Sequence, residues 1–276
     1  MHTASVKQDS APETPTHDAG LSDLPASLSA ADASLIERAL RWTAGFAGWS
    51  AAGIAELVAS AKLKRHARGK SFVCGPDCSP ESLLVVSGYL VVSCVREGLD
   101  GTESLSPLEI VGPGRLMGGM SLFDAGAEDV RFHYRAMEDA VLVRLPVPQL
   151  VRLLDAQPRL WKDMARMVLK NQRASLSNLL DHLTGQLHER LAATIDQLAT
   201  QHGVPAGAGV KFRFRLTQSD LAAMLQVTRQ TTNKGLAWLH QSGVISPDYN
   251  SITVLNRQEL QRIAGKGQRT LAQLQP

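Results

Sequence analysis

The sequence is short of cysteine, of long apolar runs and of clustered metal ligands, and each shortage removes a class of protein. Three cysteines in 276 residues, an odd number, do not make a disulfide scaffold and point to a reducing compartment. The longest apolar run, LLVVSGYLVV at 83–92, is too short to span a bilayer and contains a Ser-Gly pair. The N-terminal stretch MHTASVKQDSAPETPTHDAG lacks the basic start and apolar core of a signal peptide. A cytoplasmic protein with no membrane partner is therefore expected. A metal-dependent enzyme built on a β-barrel would need a His-x-His pair with a carboxylate nearby, whereas His66 and His133 stand alone. The expectation is no catalytic residue, no metal site and no enzyme. Finally, the glycine-rich stretch GRLMGGMSLF at 114–123 has no lysine where a phosphate loop would need one, and no acid beside Gly118-Gly119.

What is present fits two domains. With 44% hydrophobic residues the chain can bury a sizeable core. Its net charge of +3 is mild, but the distribution is uneven. Residues 187–276 carry ten Lys/Arg against five Asp/Glu, while residues 1–30 hold one Lys against four acids. A basic C-terminal module that meets a polyanion follows from this asymmetry.

Residues 1–30 are rich in Ser, Ala, Pro, Thr and Asp and are expected to form a disordered extension. From Asp32 the apolar residues Leu35, Ile36, Ala39, Leu40 and later Ile54, Leu57, Val58, Ala61 recur at helical spacing. Between 63 and 146 short β runs broken by Gly, Pro and Asp predict a compact antiparallel barrel or jelly roll. A short helix is expected over Gln149–Leu154, and Pro158 suits the first turn of a long one. From 160 to 199 there is no proline and one glycine, Gly185, so the long helix either pairs with a partner or breaks there. HGVPAGAG (202–209) reads as a loop and KFRFRL as a strand.

The clearest chemistry lies in TQSDLAAMLQVTRQTTNKGLAWLH, residues 217–240. Thr217 can cap a first helix with Asp220 at its positive end, and Thr228 can cap a second. Leu221, Ala222 and Leu225 face inward on the first, Leu236 and Leu239 on the second. The second helix then offers polar side chains outward, as a helix-turn-helix does to a major groove. Arg229 can pair with guanine, Gln230 or Asn233 with adenine, and Lys234 with guanine or phosphate. Thr217, Gln218, Thr228 and Thr231 are candidate phosphate contacts. GVISPDYNSITVL afterwards reads as a two-stranded wing.

LTQSDLAAMLQVTRQTTNKGLAWLHQSGVI resembles the helix-turn-helix of the Crp/Fnr-type transcriptional regulators, LLVVSGYLVVS their barrel hairpin, and PRLW…ERLAATIDQLA their dimerisation helix. The resemblance spans about residues 44–265. It implies an α+β fold: an N-terminal antiparallel β-barrel or jelly roll of the cyclic-nucleotide-binding type, a long dimerisation helix, and a C-terminal winged helix-turn-helix. The implied division is an extension at 1–30, a sensing domain at 31–157, the long helix at 158–185, the DNA-binding domain at 186–265 and a tail at 266–276. The implied function is a homodimer that binds palindromic double-stranded DNA through a recognition helix at 229–240, with RNA polymerase as a further partner and a small-molecule effector or redox signal in the barrel. The alternative is a diverged ligand- or haem-binding sensor with weak or no DNA binding.

Positions 226, 235, 119 and 129 depart from the family pattern. Gln226 stands where Gly usually makes the turn, and Gly235 occupies an inner position usually apolar. Gly119 replaces the acid that takes the ribose of a cyclic nucleotide, and Asp129 falls near the expected phosphate site. Cyclic AMP is thus disfavoured, and the effector is left open. Candidate effector contacts are Gly118, Gly119, Met120, Arg131 and Ser175. Haem through His or Cys, and a thiol switch between Cys74 and Cys78 with Cys94 close in sequence, stay open; an iron–sulfur centre would ask for four cysteines where three exist.

Overall fold

The computed structural model describes residues 28–75, 80–98, 101–123, 130–183, 185–248 and 251–265; at 121 and 178–183 it describes the backbone alone. Nearly all of the expected extension, together with Cys78, Asp129 and the tail at 266–276, lies outside these residues.

Two capped helices open the fold: α1 (Ala30–Trp42), where Ser29 accepts from the Asp32 amide, and α2 (Ala51–Ser60), where Ser50 accepts from the Gly53 amide. Strands β1 (Lys62–His66), β2 (Ser71–Cys74), β3 (Glu81–Ser87), β4 (Leu90–Glu97), β5 (Glu103–Val111), β6 (Leu116–Met117), β7 (Phe132–Ala136) and β8 (Ala140–Pro146) follow. They form two antiparallel sheets, ordered β1-β8-β3-β6 and β2-β7-β4-β5. Leu83, Val85, Leu90, Val92 and Leu142 fill the space between the sheets.

The apolar runs of β3 and β4 are continuous rather than alternating because both faces of each strand are covered. Leu84 on the other face of β3 packs with Ile36, Leu40, Ile54 and Leu57 of the helices, whereas Val91 on the other face of β4 packs into the C-terminal core. The expected hairpin at Ser87-Gly88 is a corner instead: β3 and β4 belong to different sheets. Gly88, at φ +79°, permits it, since a Cβ there would lie 2.6 Å from the Asp139 carbonyl oxygen.

Helix α3 (Val147–Ala156) begins two residues earlier than expected, because Pro148 is tolerated in its first turn. The long helix α4 (Arg159–Leu183) ends before Gly185, at φ +92°, and α5 (Leu187–His202) starts anew with a Gln186/Glu189 capping box. The stretch at 202–209 is not a loop. It supplies β9 (Gly203–Ala206), paired through a turn at Gly207 (φ +58°) with β10 (Gly209–Phe212). KFRFRL leaves strand structure after Phe212, yet its alternation persists: Phe212, Phe214 and Leu216 are buried, Arg213 and Arg215 exposed. Helices α6 (Gln218–Leu225) and α7 (Arg229–Gln241), the wing strands β11 (Ile245–Asp248) and β12 (Ser251–Val254), and α8 (Arg257–Ile263) complete the chain. The sheet order β11-β12-β10-β9 ties the wing to the hairpin before α6.

Candidate nucleic-acid interface and sensor cavity

Both helices of the helix-turn-helix are capped by threonine. Thr217 Oγ1 accepts from the Asp220 amide at 3.0 Å while Asp220 Oδ2 accepts from the Thr217 amide at 3.1 Å, a reciprocal box; Thr228 Oγ1 accepts from the Thr231 amide at 3.1 Å. Gln226 makes the turn between them at φ +54°, the one positive-φ residue other than glycine among the described residues. Gly235 has a packing reason: a Cβ there would lie 2.8 Å from Leu191 Cδ2, so glycine lets α5 cross α7 closely. Leu236, Leu239 and Thr232 bury the remainder of that face.

Arg229, Gln230 and Lys234 project into solvent together from the start of α7, with Thr231 and Asn233 half-buried beside them. Gln218, exposed on α6, accepts from Arg229 Nε at 3.3 Å. Arg229, Gln230 and Lys234 thus share one surface with Gln218, Thr228 and Thr231, whereas Asn233 Oδ1 is buried there without a hydrogen-bond partner. Thr217 is half-buried, and its hydroxyl also donates to Asp220 Oδ2 at 2.7 Å. Its bonds hold the helix start, which leaves it less free for phosphate than its neighbours.

The second site is a cavity of about 770 Å³ that runs between the sheets, α4 and the C-terminal module. Of the candidate effector contacts, Gly118, Gly119, Met120 and Ser175 line it. Arg131, just before β7, does not; it pairs with Glu103 at 2.5 Å, while its neighbours Val130 and Phe132 face the cavity. Apart from Ser175, the cavity's polar centre is a set that sequence reasoning missed. Arg115 Nη2 donates to both carboxylate oxygens of Glu109 (2.9 and 3.1 Å) and to Ser175 Oγ (3.0 Å), and Nη1 donates to Asn171 Oδ1 (3.0 Å). Ser175 Oγ in turn donates to Glu109 at 3.2 Å. This network joins β5 and the following turn to α4. Its one sequence signal was the Asn171/Ser175 spacing of four, which places both on one helix face.

The double glycine has a steric role. A Cβ at Gly118 (φ +69°) would meet the Glu81 carbonyl oxygen at 2.8 Å, and one at Gly119 would meet Val168 Cγ2 at 2.9 Å. The place of a side chain at 119 is taken by Val168 of α4. Of the residues considered for haem or thiol chemistry, Cys74 lines the cavity, whereas His66, His133 and Cys94 do not. Cys74 and Cys94 both pair in register with Phe132, one on each side of β7, so a whole strand separates them.

Residues 189–263 match the model of the Crp-like helix-turn-helix domain. The chain is 25% identical over 219 residues to the CRP-like cAMP-activated global transcriptional regulator of Mycobacterium tuberculosis (strain H37Rv), covering 79% of this chain and 95% of that one. It is 25% identical over 211 residues to the anaerobic regulatory protein of Bacillus subtilis (strain 168), covering 75% and 85%. Residues 189–263 thus form a Crp-like helix-turn-helix domain, and along most of its length the chain is similar to Crp/Fnr-type transcriptional regulators. A CRP-family regulator from Thermus thermophilus shares the fold at a TM-score of 0.56 and 24% identity, covering 73% of this chain and 96% of that structure.

The helix-turn-helix domain is packed on the N-terminal barrel. Tyr89, Val91, Ile110 and Met137 belong to the same buried cluster as Leu198, Phe214 and Leu221. Arg135 of β7 pairs with Asp220 of α6 at 2.7 Å, and His202 Nε2 lies 3.1 Å from the Ile110 carbonyl oxygen. The His202 ring sits edge-on to Tyr89 at 5.2 Å. Burial holds the His202 pKa below its ordinary value, which keeps the ring neutral at this joint. Among the described residues no helix is long and apolar enough to cross a membrane.

Proposed function

We infer that the regulator binds DNA as a homodimer on a palindromic site, through the helix at 229–240, under control of an effector in the N-terminal cavity. The observation that carries this reading is the grouped exposure of Arg229, Gln230 and Lys234 on a helix whose other face is fully packed. Solvent-exposed donors, of which Arg229 alone has an internal acceptor, the long 3.3 Å bond to Gln218, are what guanine and adenine edges require. Gln230 at the second reading position favours an adenine there. The wing and the exposed Arg213 and Arg215 supply sequence-independent contacts.

Dimerisation is supported by α4. Leu169 and Leu176 are 58% and 57% exposed, seven residues apart, and Leu183 continues the spacing in sequence. A repeat of seven is the pattern of a helix seam between two chains. Two copies would set two recognition helices about one turn of DNA apart. The working division is a sensing domain at 31–157, a dimer helix at 158–185 and a DNA-binding domain at 186–265, with RNA polymerase as partner on the promoter and the cytoplasm as its location.

Selection of bound sequences from a random pool, followed by mobility shift against salt, tests the reading. The expected result is an inverted repeat whose affinity falls steeply with salt. Recovery of no enriched site would overturn it. Replacing Leu169 and Leu176 together by Asp should halve the mass in sedimentation.

A further inference from the structure

We propose that the cavity takes a small organic anion with an apolar body, and that Arg190 and Gln226 of the DNA-binding domain are among its direct contacts. The proposal rests on the sensor reading above and names the ligand class of that site.

Four arginines line the cavity, Arg96, Arg115, Arg144 and Arg190, against two glutamates, Glu81 and Glu109. The glutamates are committed: Glu81 to Arg144 and Glu109 to Arg115. No carboxylate among the described residues lies within ion-pair distance of Arg96 or Arg190. Arg190, half-buried, therefore carries a positive charge beside the apolar residues Leu83, Val92, Met117 and Phe132, while the exposed Arg96 adds a second at the solvent side of the cavity. Cations next to apolar surface are costly without a counter-charge, and an amphiphilic anion answers both features at once.

Arg190 and Gln226 each carry a second sign. Arg190 donates through Nη2 to the Leu225 carbonyl at the end of α6, but its Nε is buried with no partner. A buried guanidinium N–H left unbonded is a position where an acceptor is missing. Gln226 holds a left-handed conformation that glycine would adopt without strain, and it lines the cavity. Strain kept at a cavity wall in a residue with a long polar side chain fits a contact with an occupant. An anion on Arg190 would compete with the Leu225 carbonyl, and so bear on the end of α6 and the turn into the recognition helix. A cyclic nucleotide fits poorly, since Val168 occupies the space of the ribose-binding acid and Arg115 is already clamped by Glu109.

The test uses the full chain and two probes of one body: 8-anilinonaphthalene-1-sulfonate and its neutral counterpart N-phenyl-1-naphthylamine, titrated by fluorescence. The sulfonate should bind at one site per chain, about tenfold more tightly than the neutral probe, the factor one charge-assisted bond supplies. Arg190→Gln and Arg96→Gln should each remove most of that advantage and leave the neutral probe unchanged, and Arg190→Lys should retain part of it. Gln226→Gly should raise the melting temperature while weakening sulfonate binding. If Arg190→Gln does not fold, Arg96→Gln on the barrel side decides. Equal affinity for the two probes, or sulfonate binding indifferent to both arginine changes, would overturn the proposal, as would displacement of the sulfonate by equimolar cyclic AMP. Selection of a DNA site with no probe preference would sink the ligand class alone. Probe preference without a selected site would sink the DNA-binding reading alone.

Discussion

The recognition helix and the cavity hold similar side chains in opposite conditions. At the start of α7, Arg229, Gln230 and Lys234 stand in solvent, and the bond from Arg229 to Gln218 is 3.3 Å long. In the cavity, Glu109, Arg115, Asn171 and Ser175 bond to one another at 2.9–3.2 Å, with Glu109 and Arg115 14% and 19% exposed. Exposed side chains find partners in water and need few bonds to one another. The half-buried charges of the cavity are instead held by short bonds between side chains.

Mutations can break this contrast. The largest effect is expected from Glu109→Gln, which leaves Arg115 without its counter-charge; thermal unfolding should show a loss of about 2–3 kcal/mol, below a fully buried pair because both groups keep some solvent contact. The DNA half-site preference should not change. Arg229→Ala should cost about 1–3 kcal/mol at one base position and leave stability within about 0.5 kcal/mol. A uniform loss over all sequences in a binding-site scan would instead make it a backbone contact. Thr217→Ala should lower stability by about 1 kcal/mol through loss of the cap and weaken DNA binding on every sequence alike, with Thr217→Ser restoring both.

The smallest effect concerns the joint between the regions. Burial depresses the His202 pKa from 6.5; the Ile110 carbonyl opposes this, while Arg115 and Arg213 add to it. The unfolded chain therefore takes up its proton first as pH falls. Stability is complete above about pH 6.5 and declines below it. Melting temperatures from about pH 8 to 5 should show that decline, and His202→Gln should make it shallower without removing it, since His66 and His133 are depressed in the same direction.

The recognition helix was legible because its signals are local: Thr217 and Asp220, Thr228 and Thr231, and the polar run after Arg229 fall within 24 residues. The cavity was not, because Glu109, Arg115, Asn171 and Arg190 come from four separate segments whose meeting depends on sheet order. Arg131 was placed by matching the family's phosphate-binding arginine to within one residue, and next to a strand a shift of one residue reverses the face. Reading 202–209 as a loop failed for a related reason: these four-residue strands show little side-chain alternation, and their support comes from pairing, β9 with β10 and β10 with the distant wing strand β12.

The contact between Gly119 and Val168 has a consequence for how this protein can change. An acid introduced at 119 alone would collide with α4, whereas Val168→Ala alone leaves room and nothing to fill it. Room for a side chain at 119 therefore depends on the residue that α4 presents at 168.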